Sequence, residues 1–320
     1  MTASASPTLT AAAPAPASPG ASAPPAAADA ADAPAAASGR TASAVLLVLG
    51  SCTSLQVGAA LAMRLFPVTG APGATLLRLG IAAAVLLGVT RPRLRAWRPA
   101  QWRAVALYGI SLAGTNAFFY AALARLPLGT AVTIQFLGPL TLAAALSRRW
   151  RDGCWVLLAV AGVLTLGLSP GHGPGHSLDT AGVALVLVSA AFWALYIVAG
   201  SRASAAVPGR GGLAVAMTVG ALAVLPFGAH GAWQAAGTPY LALIALGTAV
   251  LASVVPYTLE LAAMRRAPRR VFGILLSLEP AVATLAGWVL LGQRTSPAAL
   301  AAIAAVVLAS AGAALTARQR

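Results

Sequence analysis

From residue 42 to residue 316 the chain is a succession of apolar segments of about 20 residues, and few folds accept such a pattern. A helix rises 1.5 Å per residue, so a segment of this length crosses the ~30 Å hydrocarbon core of a bilayer. Ten segments are read: 42–63, 70–90, 102–123, 127–147, 153–170, 180–200, 211–230, 239–262, 271–292 and 296–316. The stretch from 211 to 259 carries no charge and is divided at 231–237, where His230, Trp233 and Gln234 supply a polar turn. In lipid every backbone N–H and C=O must find its partner internally, so apolar runs this long predict helices. Only 8% of residues are charged and mean hydropathy is +0.84, against about 25% charged in a soluble domain. The expected class is an all-α membrane protein with ten transmembrane helices.

All 21 basic residues are arginine, and their placement sets the orientation. With a cytoplasmic N-terminus, 17 arginines fall in cytoplasmic segments and three, Arg64, Arg125 and Arg294, in outer loops; Arg78 lies inside the second segment. That asymmetry is the positive-inside pattern. It places both termini in the cytoplasm, and it accounts for the net charge of +15 without nucleic acid. Residues 1–41 are rich in Ala and Pro, with no basic residue before Arg40. The tail has neither the positive start nor the apolar core of a secretory signal and reads as a disordered cytoplasmic extension.

Positions 141 apart repeat. Ala121–Ala122 match Ala262–Ala263, Arg125 matches Arg266, Pro127 matches Pro268, Leu137 matches Leu278 and Pro139 matches Pro280. Two five-helix units, 42–170 and 180–317, follow. An odd helix count makes them insert in opposite directions, as in many secondary transporters whose sites lie between inverted repeats near the midplane.

Candidate site residues come from what is expensive in hydrocarbon. Glu260 and Glu279 are the acids inside apolar runs, and an intramembrane acid costs roughly 2.5–3.5 kcal/mol on insertion scales. Counting residues from the helix ends places Arg78 and Glu279 both near the midplane. Two arrangements satisfy them: a permanent ion pair, or a shared cavity that admits a zwitterion. Glu260, about one turn from the cytoplasmic end, either snorkels to water or Arg265 or serves as a proton port. Pro139, Pro256 and Pro280 remove helical hydrogen bonds and free the carbonyls of Gln135, Ala252 and Leu276, as kinks or as site acceptors. Asn116 and Gln135 are further polar groups at depth, with Ser51, Thr53, Ser54, Gln56, Thr133 and Tyr196. Cys52 and Cys154 give no disulfide or metal spacing, and His172, His176 and His230 lie near loops, so no metal site is read.

Several stretches carry a resemblance: GAALAMRLFPVTGAPGATLLRL (58–79), YGISLAGTNAFFYAALARLPLGTAVTIQFLGPL (108–140), FWALYIVAG (192–200) and VPYTLELAAMRRAPRRVFGILLSLEPAVATLAGWVLLGQ (255–293). In these the chain resembles EamA-type transporters of the drug/metabolite transporter superfamily, over roughly 42–317. The resemblance implies secondary active export of small, threonine- or homoserine-like amino acids across the cytoplasmic (inner) membrane, with proton antiport and no cofactor. Arg78, Asn116, Gln135 and Glu279 are then the expected substrate contacts, and Glu279 with Glu260 the proton-coupling groups. Gln135 and Gln293 stand where the family leads one to expect Glu, which deletes two titratable groups. The alternatives are another small metabolite or drug as cargo, or a passive channel. An intramembrane enzyme would need a nucleophile–base pair or metal ligands, and the helices supply one Arg and two Glu. No nucleotide-binding loop is present, which leaves an ion gradient as the drive. The expected partners are the substrate, protons and the lipid bilayer.

Overall fold

The computed structural model describes residues 29–147, 150–168, 179–207, 209, 211–264, 266 and 269–316. The chain divides into two units, Met1–Gly39 and Arg40–Arg320. Residues 29–39 of the first, within the N-terminal tail, are helical and rich in alanine, the strongest helix former. Residues 1–28 of that tail lie outside the described residues, as do Arg265 and most of the 171–179 loop.

The described residues contain helices and no strand. In chain order these are α1 (Asp29–Thr90), α2 (Pro99–Leu123), α3 (Leu128–Gln135), α4 (Leu137–Ser147), α5 (Trp150–Leu168), α6 (Thr180–Ala206) and α7 (Gly211–Ala236). They continue with α8 (Pro239–Ala249), α9 (Val255–Met264), α10 (Arg269–Leu276), α11 (Glu279–Leu291) and α12 (Pro297–Thr316). Eight described stretches are long and apolar enough to cross a membrane: Ser43–Thr90, Pro99–Leu123, Leu128–Ser147, Thr180–Ala206, Gly211–Ala236, Pro239–Glu260, Phe272–Leu291 and Pro297–Thr316. The protein is therefore a multi-pass membrane protein. The first of these stretches has 48 residues, more than twice a crossing, and α1 breaks within it at Gly70 (φ 63°, ψ 171°). That backbone conformation is open to glycine almost alone.

Three other breaks shape the interior. Pro139 leaves the Gln135 carbonyl without its helical donor, and the helix is interrupted at Phe136, between α3 and α4. The equivalent interruption, 141 residues later, is at Ser277–Leu278 between α10 and α11. There the Leu278 N–H turns back to the Leu275 carbonyl (3.2 Å), and Pro280 sits in the first turn of α11, where no N–H is needed. The third break is the π turn Val250–Val254 between α8 and α9, closed by the Val255 N–H on the Val250 carbonyl.

Small residues let the helices approach closely, as is usual in membranes. A Cβ on Gly58 would lie 2.7 Å from the Ala252 nitrogen, so α1 runs directly against the π turn. Helix α2 packs along α6 and α7, α5 along α12, and α3 against α11. Tyr120, Leu65, Leu123, Leu128 and Ile134 are fully buried at the centre. Large apolar side chains cover the outside as well, with Phe227 78% and Trp233 81% exposed, as lipid permits and water does not.

Polar ties hold the helix ends. Asp179 caps α6 by accepting from the Gly182 N–H (2.9 Å) and pairs with Arg125 (3.1 Å), the one ion pair among the described residues. The Gly182 N–H, then Arg125, holds its carboxyl below the usual aspartate value. Gln293 Oε1 accepts from the Leu128 N–H (2.9 Å), satisfying a free donor at the start of α3. A neutral amide thus performs, at this position, a structural task that requires no titratable group.

Candidate functional site: a polar-lined cavity among the helices

A cavity of about 510 Å³ lies among the helices, within the usual range for small-molecule sites. Its walls are contributed by α1, α2, α3, α4, α6, the π turn, α9, α10, α11 and α12. Most lining side chains are apolar, among them the Phe136–Trp193 edge-to-face pair with centroids 5.2 Å apart. Of the sequence-derived candidates, Arg78, Asn116, Gln135, Glu260 and Glu279 all line it, with Pro139 and Pro256; Pro280 stands next to Glu279 but is not in the lining.

Arg78 and Glu279 share the cavity without forming an ion pair: among the described residues no carboxylate oxygen is within 4.0 Å of the guanidinium. The hydrogen-bond partners of Arg78 are neutral. Its Nε donates to Ser253 Oγ (3.2 Å), one terminal nitrogen to Tyr120 Oη (3.2 Å) and the other to the Ala252 carbonyl (2.7 Å). The guanidinium also lies 5.5 Å from the Tyr120 ring centroid. Its acceptors follow from local backbone chemistry. Pro256 cannot donate, so the Ala252 carbonyl is left free inside the π turn, and Arg78 takes it. Three of five guanidinium N–H groups are thereby used, and two have no partner among the described residues.

Glu279 is 8% exposed, and its Oε1 accepts from Gln56 Nε2 (3.1 Å). Glu260 is held by Ser51, whose hydroxyl donates to Oε1 at 2.9 Å with the Pro256 carbonyl at 3.4 Å. Both acids are therefore positioned from α1, by residues five apart. Gln135 Nε2 donates to Ser189 Oγ (2.7 Å), which donates in turn to the Thr115 carbonyl (2.7 Å). Asn116 Nδ2 donates to the Leu112 carbonyl of its own helix (2.8 Å).

Sequence reasoning did not place Ser253, Tyr120, Ser189 or Thr115 at the site, and it listed Gln56 and Ser51 only as polar groups in a helix. For Gln56 and Ser51 a signal existed: Ser51, Thr53, Ser54 and Gln56 form a polar cluster in a segment that is otherwise apolar. Among the described residues no group of three or more His, Cys, Asp or Glu is arranged to hold a metal.

An apolar helical bundle surrounds a cavity whose lining includes one arginine and two glutamates that, among the described residues, form no ion pair. Comparison with known proteins supplies the family. The EamA-like transporter family model matches residues 180–315. Over 275 residues the chain is 39% identical to the threonine/homoserine exporter RhtA of Escherichia coli strain K12, covering 86% of this chain and 92% of that protein. It has the same identity and coverage with the threonine/homoserine exporter RhtA of Salmonella typhimurium strain LT2. A solved crystal structure aligns over 86% of this chain and 97% of its own, with TM-score 0.55 and 25% identity. The chain belongs to the EamA-like transporter family; it is a transporter and not an enzyme.

Proposed function

We propose that this chain is a secondary active exporter of small amino acids, of the threonine or homoserine type, across the cytoplasmic membrane, driven by exchange for protons. The observation that carries this reading is the charge arrangement of the cavity. A zwitterion brings one carboxylate and one ammonium, and the cavity offers each an uncompensated opposite charge, at Arg78 and Glu279. The planar guanidinium fork suits a carboxylate. Asn116 and Gln135 complete the polar contacts. The name of the 39%-identical relatives supports the cargo class.

The proposed architecture is ten crossings in two inverted five-helix repeats. The 48-residue first stretch supplies two crossings, one on each side of Gly70, and Trp150–Leu168 another. The match of the family model to residues 180–315 alone supports a unit of that length. So do the paired interruptions at Phe136 and Ser277. Both termini are cytoplasmic, from the arginine count. Cysteine labelling from outside the cell should therefore mark a residue placed at 175 and spare one at 267; the opposite result would reject the orientation.

Overexpression of the chain should lower the cellular pool of threonine or homoserine and raise resistance to them. In proteoliposomes, efflux should stop when the proton gradient is collapsed. A panel of amino acids with no energy-dependent efflux would sink the proposal, and efflux indifferent to the gradient would point to a passive channel.

A further inference from the structure

Serine and threonine hydroxyls in membrane helices ordinarily return to a carbonyl of their own helix. This chain follows the rule widely: Thr75 bonds the Ala71 carbonyl, Thr133 that of Gly129, Thr218 that of Ala214 and Thr284 that of Pro280. Thr115 and Ser310 depart from it. Both hydroxyl oxygens are buried and have no hydrogen-bond partner among the described residues, and both residues line the cavity, Thr115 from α2 and Ser310 from α12. Buried polar groups are nearly always satisfied, and leaving one bare is costly. Two bare hydroxyls on the wall of a single cavity therefore await a partner that brings both a donor and an acceptor.

A hydroxyl is the smallest group that does so. Its location fits the charges already described. Thr115 is next to Asn116, and its carbonyl is fixed by Ser189, so its helix position is held whether or not the cavity is filled. Arg78 and Glu279 take the two ends of a zwitterion, and the side chain is the part that is left to be read.

We propose that Thr115 and Ser310 form a subsite that recognises a hydroxyl on the side chain of the transported amino acid. This rests on the amino-acid reading above. It assigns selectivity to two uncharged residues and separates that task from the charge pairing.

Isosteric substrates test it, because threonine and valine differ by one hydroxyl against one methyl. In proteoliposomes holding the full chain, competition between the two should favour threonine. Thr115→Val combined with Ser310→Ala should reduce that preference roughly tenfold, the scale of a net hydrogen bond, while valine efflux persists. Thr115→Ser in the Ser310→Ala background should return part of the preference. The proposal is overturned if the double variant keeps the preference, as it would were buried water the only partner, or if it loses both substrates in proportion and Thr115→Ser restores neither. Absence of any amino-acid efflux by the unaltered protein would overturn the functional reading itself; equal efflux of threonine and valine by that protein would overturn only the hydroxyl subsite.

Discussion

Arg78→Ala is expected to lower amino-acid efflux by about a hundredfold or more, with the protein still inserted and monodisperse. Removing one partner of a buried, hydrogen-bonded charge pair costs roughly 2–5 kcal/mol, and about 2.7 kcal/mol is a factor of one hundred. In the proposed site the partner lost is the substrate carboxylate, since among the described residues no carboxylate is within ion-pairing distance of the guanidinium. The protein side of the change is modest by comparison. Ser253 and Tyr120 lose a neutral donor, and the Ala252 carbonyl faces a cavity wide enough for water to replace it. Arg78→Lys separates charge from geometry. Lysine keeps the positive charge but is a single ammonium, unable to hold the Ala252 carbonyl, Ser253, Tyr120 and a carboxylate together. It should retain weak binding, with efflux between that of Arg78→Ala and the unaltered protein. Equilibrium binding of a radiolabelled amino acid to the purified variants is the measurement. Full binding by Arg78→Ala would remove Arg78 from the site and leave it a structural strut of the π turn.

The sequence made the depth of these groups legible but not their azimuth. Counting from the helix ends predicts similar depth for Arg78 and Glu279, and the structure places both on the wall of one cavity. Depth says nothing of which face of a helix a side chain occupies, so the alternative of a permanent pair stayed open; the structure instead gives Arg78 to α2 and the π turn, and Glu279 to Gln56. Pro256 announced the free Ala252 carbonyl, since a missing N–H is a local fact. Its capture by an arginine 174 residues away is a tertiary one. The π turn itself was not legible, because VLASV is as apolar as the rest of its helix. Gln293 shows the opposite limit. Read beside a family in which Glu is expected, it looks like a lost titratable group, yet the structure uses it as the acceptor for the Leu128 N–H. The helical membrane class was the easiest part, since apolar length decides it, and the break in the first long stretch falls at Gly70, at the edge of the gap between the predicted segments 42–63 and 70–90.

Glu279→Gln is expected to weaken amino-acid binding by roughly thirtyfold or more, from the lost counter-charge of the ammonium, and to abolish the dependence of the remaining efflux on the proton gradient. Among the described residues the carboxylate has one neutral donor, Gln56, and no cation within ion-pairing distance. Two species can compensate it, a proton or the ammonium of the substrate, and they compete for the same oxygens. With the ammonium bound, the proton is excluded; with the proton bound, the ammonium loses its counter-charge. That competition is what exchange requires, since a carrier that cannot hold both must alternate between them. Glu260 lines the same cavity, held by Ser51, and in the proposed exchange it passes the proton on. Glutamine keeps the shape and an acceptor oxygen at 279 but carries no charge and can take up no proton, so the variant should bind the amino acid weakly and, at high substrate, equilibrate it across the membrane without concentrating it. Glu260→Gln should slow proton-driven efflux and leave substrate–substrate exchange intact, because it removes the relay and keeps the competition. The double variant Arg78→Ala, Glu279→Gln should be inactive, as two separate subsites demand. Counterflow and gradient-driven efflux, measured side by side in proteoliposomes, distinguish these outcomes. Restored activity in the double variant would mean that the two charges compensate each other in some transport state and do not hold the two ends of the substrate.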